Sequence, residues 1–141
     1  MQKQFTNSMQ TAKAATSPLV KGVFCNYLPV SNLSRSRAWY MEVLGLKPFD
    51  RNDSILIMGS GQWIFLLESK DRLNANFTTD NWEGKDFEMF SLTFETENIV
   101  GLHKSLLNHG AEVEPITDNG SCGLQFRFKD LDGNRFNVWQ N

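Results

Sequence analysis

The sequence predicts an α+β fold made of two paired βαβββ modules that form a shared concave cleft, with helices on the outer faces. Two observations carry that expectation. One is a strand that runs straight into a capped, glycine-ended helix. The other is the return of the same pattern 65 to 66 residues later, with Gly110 repeating Gly45 and Ile99 repeating Leu33. A βαβββ unit of this size does not bury its own sheet, so the two copies are expected to pair.

Residues 24–30 alternate aromatic and aliphatic types, which suits a strand with one covered face. Ser31 or Asn32 then caps a helix, because its side-chain oxygen can accept a hydrogen bond from a first-turn N–H. Leu33, Ser36, Trp39, Tyr40, Val43 and Leu44 follow at three-four spacing as one apolar stripe. Gly45 supplies the left-handed residue that ends it. Residues 46–50, 55–58 and 63–68 read as three further strands, with Gly59-Ser60-Gly61 turning the chain between the last two.

Residues 69–85 form a polar connection that carries Phe77 and Trp82, a length typical of functional or disordered loops. The pattern then restarts. Residues 90–95 are a strand, Glu97 or Asn98 a cap, and Ile99, Leu102, Leu106 and Leu107 a helix stripe. Residues 111–116, 124–129 and 135–139 complete the second set of strands, the last two joined by the tight turn Asp132-Gly133-Asn134. The expected organisation is an N-terminal extension over 1–19, either a flexible leader or a docking arm, then one domain over 20–141. Within that domain, module one spans 20–69, the connection 70–87 and module two 88–141.

Composition narrows the function. A 40% hydrophobic and 12% aromatic content is ample for a packed interior. A net charge of −2 lacks the basic stripe that nucleic acid requires. No apolar run approaches the roughly 18 residues of a membrane span, and the first 20 residues lack the apolar centre of a secretory signal. Cys25 and Cys122 carry no paired metal-ligand spacing and read as free thiols of a reducing cytoplasm.

The duplicated unit resembles the vicinal oxygen chelate superfamily, which groups glyoxalase I, bleomycin-resistance proteins, fosfomycin-resistance enzymes and extradiol dioxygenases. Leu28-x-Val30-Ser31-Asn32-Leu33-x-x-Ser36-x-x-Trp39-Tyr40-x-x-Val43-Leu44-Gly45-Leu46 is similar to its opening signature. Asp130-Leu131-Asp132-Gly133-Asn134-Arg135-Phe136 is similar to its closing turn and last strand. The likeness spans roughly residues 22–141. It implies a homodimer and leaves the chemistry open, since this scaffold hosts several reactions.

Metal-using members keep one ligand on the first strand and one on the last strand of each module. By that resemblance the four positions here are Cys25, Phe65, Ser91 and Asn137. A catalytic zinc or iron site takes about three protein ligands from His, Cys, Asp and Glu, and one thiol with two neutral oxygens does not supply them. No cofactor is therefore expected. A divalent metal survives only as a fallback on Glu68 with Cys25. His103 and His109 lie six apart on different helix faces and suit helix-surface roles. The Asp130-x-Asp132-x-Asn134 run has its glycine too early for a calcium loop and ends on Asn141 where glutamate is needed.

Strand alternation places Cys25, Tyr27, Trp63, Phe65, Leu67, Ser91, Thr93, Asn137 and Trp139 on the cleft face, and Leu28, Val30, Ile64, Leu66, Leu92, Phe94, Phe136 and Val138 on the helix face. Phe126 and Phe128 go with the helices, which turns Gln125 and Arg127 to the cleft. The aromatics either fill the cleft or line an apolar pocket with polar anchors. Arg127 either grips an oxyanion in bidentate fashion or lies solvated at the rim. Three functions follow. The first is a metal-free small-molecule binder akin to bleomycin-resistance proteins. It takes a flat, partly apolar ligand on Tyr27, Trp63 or Trp139, hydrogen-bonded to Asn137 and Ser91 and closed over by Phe77 and Trp82. The second is a metal-dependent glyoxalase-type lyase or isomerase, or a dioxygenase. The third is an interaction module that buries the cleft face in a dimer.

Overall fold

The computed structural model describes residues 17–141; the extension expected over 1–19 therefore lies mostly outside the described residues. Module one runs β1 (Cys25–Val30), α1 (Leu33–Leu44), β2 (Lys47–Pro48), β3 (Ile55–Ile57) and β4 (Trp63–Glu68). A short hairpin of β5 (Phe77–Thr79) and β6 (Phe87–Met89) follows. Module two runs β7 (Thr93–Glu95), α2 (Ile99–Asn108), β8 (Thr117–Asp118), a 3-10 turn at Gly120–Cys122, β9 (Leu124–Lys129) and β10 (Arg135–Gln140). Both modules close the same way. The first sheet has the order β1-β4-β3-β2 and the second β7-β10-β9-β8. In each, the first and last strands pair in parallel and the rest antiparallel.

Local chemistry sets the helix ends. The Asn32 side chain accepts from the Arg35 N–H, and Gly45, at φ 74°, closes α1. Asn98 repeats that role by accepting from the Gly101 N–H of α2, and Gly110 follows at φ 73°. The Glu68 carboxylate adds a further acceptor for the Leu33 N–H at 2.9 Å, satisfying another orphan donor of α1.

The helix-side parity of the strands is as read. Leu28, Val30, Ile64 and Leu66 from the first sheet join Phe126, Phe128, Phe136 and Val138 from the second, with Tyr40, Val43, Ile99 and Leu106 from the helices, in one core. Its side chains are almost fully shielded from water, which is the dominant stabilising term of the fold. The helix α1 spans both modules: its Trp39 ring packs 6.5 Å from that of Phe128, and Val43 O accepts from Ser105 Oγ of α2 at 2.8 Å.

A buried polar knot locks the modules together. Tyr40 donates its hydroxyl proton to Asp130 Oδ2 at 2.6 Å, and Asn134 donates to Pro29 O and to the same carboxylate, each at 2.9 Å. Burial pushes Tyr40 well above its ordinary value, and the Asp130 charge beside it adds to the effect. Burial also raises Asp130, against the four hydrogen bonds that favour its charged form.

Four elements differ from expectation, the first being the strand expected over 46–50, which shortens to β2. Residues 111–116 form no continuous strand. The chain there exchanges backbone bonds with β9 through Glu112 and Glu114, breaks at Pro115, which has no N–H to give the ladder, and resumes as β8. The strand expected over 90–95 shortens to β7. The polar connection, read as a loop, contains the β5–β6 hairpin, whose three residue pairs run from Phe77↔Met89 to Thr79↔Phe87. Among the described residues, no helix is long and apolar enough to cross a membrane.

Candidate functional site

The predicted site residues occupy the two sheet faces turned away from the core, in two groups of unlike chemistry. Among the described residues, no hydrogen bond or aromatic pair joins one group to the other.

On the first sheet, the parallel register Cys25↔Trp63 and Tyr27↔Phe65 sets four predicted residues side by side. Tyr27 and Phe65 stack with centroids 4.9 Å apart at 28°. Trp63 continues the stripe at 6.1 Å from Phe65 and meets Phe24 and Phe49 at 5.2 and 5.1 Å. Offset and tilted ring pairs of this kind suit the aromatic quadrupole. The stripe stays open: Tyr27 is 62% exposed and Phe24 64%. The Tyr27 hydroxyl is held above its usual value, chiefly by hydrogen bonding with the Cys25 side chain. Beside Tyr27 lies a recess of about 350 Å³ whose lining includes Pro29, Leu67 and Arg72. Sequence reasoning missed Arg72, which sits in the polar connection with no periodic signal around it.

On the second sheet, Asn137 lies opposite Thr93 on one side and Arg127 on the other. It is 7% exposed. Its amide nitrogen donates to Thr93 Oγ1 at 3.3 Å and Gln125 Oε1 at 3.2 Å, while Oδ1 is buried with no partner among the described residues. An unpaired buried acceptor carries a desolvation cost and marks a place where a donor is wanted. Arg127 is neither free nor solvated. It forks onto both carboxylate oxygens of Glu83, and its guanidinium lies 5.5 and 5.3 Å from the ring centres of Phe87 and Phe90. That fork lowers Glu83 and raises Arg127. Ser91 is exposed on the segment before β7. Trp139 is spent on structure: its indole N–H donates to Cys122 O at 2.8 Å and packs against Gly123, where a Cβ would lie 2.8 Å from Nε1.

The hairpin partly covers this second face. Arg135, beneath it, lies 4.9 Å from the Phe87 ring centre and donates to Glu114 Oε2 at 2.7 Å. Trp82 at the tip meets Phe90 edge-on at 6.3 Å and is 55% exposed. Phe77, also expected to close over the site, is 54% exposed at the start of β5.

The donor set does not suit the metal centre that the fold family implies. The four positions hold Cys, Phe, Ser and Asn on two separate faces, and among the described residues no three His, Cys, Asp or Glu side chains cluster. The fallback pair does not meet either. Cys25 and Glu68 stand at opposite ends of the β1–β4 ladder, about 16 Å apart along the strands, with Glu68 engaged at the start of α1. The histidines sit on α2 and at its end: His103 contacts Glu114 O at 3.0 Å, and His109 contacts Ser105 O at 2.8 Å and Glu42 Oε1 at 3.1 Å.

Two four-stranded sheets, each closed by a parallel pair of first and last strands, define a duplicated glyoxalase-type domain. The profile of the Glyoxalase/Bleomycin resistance protein/Dioxygenase superfamily matches residues 22–138, and the chain belongs to that superfamily. Among curated proteins there is no match. Solved structures share the fold at low identity. A glyoxylase/bleomycin resistance protein/dioxygenase domain from a Frankia species is 22% identical over 86% of this chain and 93% of its own, with a TM-score of 0.62. TnmS3, an antibiotic binding protein from a Streptomyces species, is 18% identical over 88% of this chain and 98% of its own, at TM-score 0.63. A mutant of the fosfomycin resistance protein FosX from Listeria monocytogenes, complexed with Mn(II) and a dihydroxypropylphosphonic acid, is 17% identical over 86% and 90%, at TM-score 0.61.

Proposed function

We propose that the protein binds a flat, partly apolar small molecule on the outer face of its first sheet, without a metal, as a cytoplasmic homodimer. One observation carries this reading: the Tyr27–Phe65 stack continues into half-buried Trp63 as an aromatic platform whose Tyr27 and Phe24 ends are exposed. Large side chains left exposed together cost stability that a ligand or partner recovers. The recess beside Tyr27 gives such a ligand an apolar wall of Pro29 and Leu67, with the opposite charges of Arg72 and Glu68 at its edge. A metal-free mode follows from a donor set that cannot compete with water for a borderline cation. The two free cysteines are at home in a reducing compartment. The antibiotic-binding neighbour on the same fold supports the class.

A second copy completes the arrangement. Among the described residues, both β1 and β7 end their sheets with one edge unpaired, and unpaired edges recruit partners. A dimer would set the aromatic face of one chain beside the polar face of the other, joining Tyr27 and Trp63 to Asn137 within one cleft.

The test is a thermal-shift screen of planar aromatic compounds. A ligand at about a hundred times its dissociation constant stabilises by about 2.7 kcal/mol, or roughly 5–10 °C for a chain of this size. The shift should collapse in Tyr27→Ala and in Trp63→Ala. Hits that keep their full shift in both variants would refute the platform. Light scattering should return about twice the 16.1 kDa chain mass, and a concentration-independent monomer would remove the shared cleft. Stoichiometric metal in chelator-free protein would favour the lyase or dioxygenase alternative.

A further inference from the structure

We propose that Glu83 is a built-in occupant of a carboxylate subsite on Arg127, so that the β5–β6 hairpin latches the second sheet's outer face until a ligand carboxylate displaces it. The inference rests on the binding reading above but concerns a different face and different residues.

The contact has the form of ligand recognition. Both guanidinium nitrogens of Arg127 meet both oxygens of Glu83, the planar two-point match that arginine makes with a carboxylate. The guanidinium is held between Phe87 and Phe90 at 5.5 and 5.3 Å, which fixes its plane and desolvates it. Its side chain is only 19% exposed, whereas that of Glu83 is 52% exposed. The receiving group is thus built into the sheet, and the carboxylate comes from solvent on a loop.

The hairpin is fastened unevenly. Its base is bolted to the second module. Asn76 Nδ2 donates to Gly133 O and to Glu88 Oε2, both at 2.8 Å, Arg135 N donates to Asn76 Oδ1 at 2.9 Å, and Lys129 pairs with Glu88 at 3.2 Å. The tip, residues 80–86, is exposed throughout. Besides turn bonds of its own, such as Asp86 N–H to Asp80 Oδ1 at 2.9 Å, its tie to the sheet among the described residues is Glu83 on Arg127, while the edge of Trp82 rests on Phe90, just after the hairpin. A ladder of three residue pairs is weak by itself, so displacing Glu83 frees the tip and leaves the base in place.

A second observation says what would replace it. Asn137 lies directly across the β9–β10 ladder from Arg127, and its buried Oδ1 has no partner among the described residues. Facing residues in an antiparallel pair stand about 5 Å apart. One small molecule therefore reaches both. The class is a carboxylic acid with an N–H or O–H donor next to the carboxylate: the carboxylate replaces Glu83, and the donor satisfies Asn137.

The experiment is calorimetric titration of the full chain with anthranilate, benzoate and aniline. Glu83→Gln keeps the shape of the side chain and abolishes the ionic fork. It should bind anthranilate at least about tenfold more tightly than the wild type, a difference of about 1.4 kcal/mol, with benzoate weaker and aniline silent. The gain should vanish in Glu83→Gln/Arg127→Gln, and a cooperative melt confirms that each variant is folded. Equal affinity in wild type and Glu83→Gln overturns the latch. A gain that persists without Arg127 overturns the subsite. No binding by any variant overturns the carboxylate class. A wild-type chain that still stacks its ligands through Trp63 while Glu83→Gln shows no gain removes the latch alone and leaves the aromatic platform standing.

Discussion

Tyr40→Phe tests the joint that sets the two faces relative to each other. Tyr40 is 1% exposed on α1 of the first module, and among the described residues the one hydrogen bond of its hydroxyl crosses to Asp130 at the β9–β10 turn of the second, at 2.6 Å. Phenylalanine keeps the ring and deletes that bond. Hydrogen bonds to charged groups contribute about 1.5–3 kcal/mol. Asp130 Oδ2 retains the Asn134 amide at 2.9 Å, so the carboxylate is not orphaned and the lower half of that range applies. The expected loss is about 2 kcal/mol at pH 7, or about 4–8 °C in melting temperature. The pH dependence gives an independent check. The folded value of Tyr40 lies well above 10.0, while an unfolded tyrosine ionises near 10. Between those values the unfolded chain releases a proton that the native chain keeps, so stability falls as pH rises through the window, by up to about 1.4 kcal/mol per pH unit. Below pH 10 this contribution is constant. Tyr27 is shifted the same way but is present in both proteins, so the difference isolates Tyr40. Urea unfolding followed by tryptophan fluorescence at pH 7, 9, 10 and 11 measures it. Equal stabilities at pH 7, or parallel losses above pH 10, would refute the reasoning.

Two further substitutions probe other parts of the frame. Gly123→Ala should cost about 2–5 kcal/mol in urea unfolding, because the residue sits at φ +87° and its Cβ would lie 2.4 Å from Gln140 O; a cost below about 1 kcal/mol would mean that the 3-10 turn relaxes freely. His109 is raised chiefly by its bond to the Ser105 carbonyl and then by Glu42, so its contribution is present below the unfolded value and fades as pH rises through the folded one. The melting-temperature gap between wild type and His109→Gln should therefore be wider at pH 6 than at pH 8, and a gap that widens toward pH 8 would contradict that sign.

Much of the frame was legible because side-chain period and backbone chemistry agree. In residues 135–139 Phe136 and Val138 alternate with Asn137 and Trp139, and only one register buries the apolar pair. Asn32 and Gly45 mark α1 by capping and left-handed geometry, which are local properties that read directly from residue type. The β5–β6 hairpin was not legible, since two strands of three residues are too short to show alternation. The signal that could have found it is Phe77 and Phe87 flanking a turn-forming Asp80–Asp86 run rich in Asp, Asn and Gly. Parity correctly turned Arg127 away from the core, but parity says nothing about its partner. Glu83 lies 44 residues away in sequence, and nothing periodic links the two. Trp139 shows the same limit: its facing was right, yet its indole is tied to the 3-10 turn and is not a free stacking surface.

The duplicated frame makes the asymmetry of the two faces informative. Phe65 and Asn137 occupy equivalent places on β4 and β10, each beside the parallel first strand of its module. Equal geometry with unequal chemistry means that the backbone does not dictate what stands there. At Phe65 the position extends an aromatic platform. At Asn137 it keeps an acceptor aimed by two hydrogen bonds from its own amide but gives up the negative charge that a cation requires. A neutral, oriented acceptor next to a guanidinium selects for a molecule that carries its own oxyanion and its own donor. An aromatic platform selects for a flat apolar surface. A ligand with both parts would use both faces at once only if two chains bring them together, so the oligomeric state decides whether the proposed aromatic and carboxylate subsites would act on one molecule or on two. Double-variant cycles between Trp63 and Arg127 separate these cases: coupled losses in affinity mean one ligand across a shared cleft, and additive losses mean two independent sites.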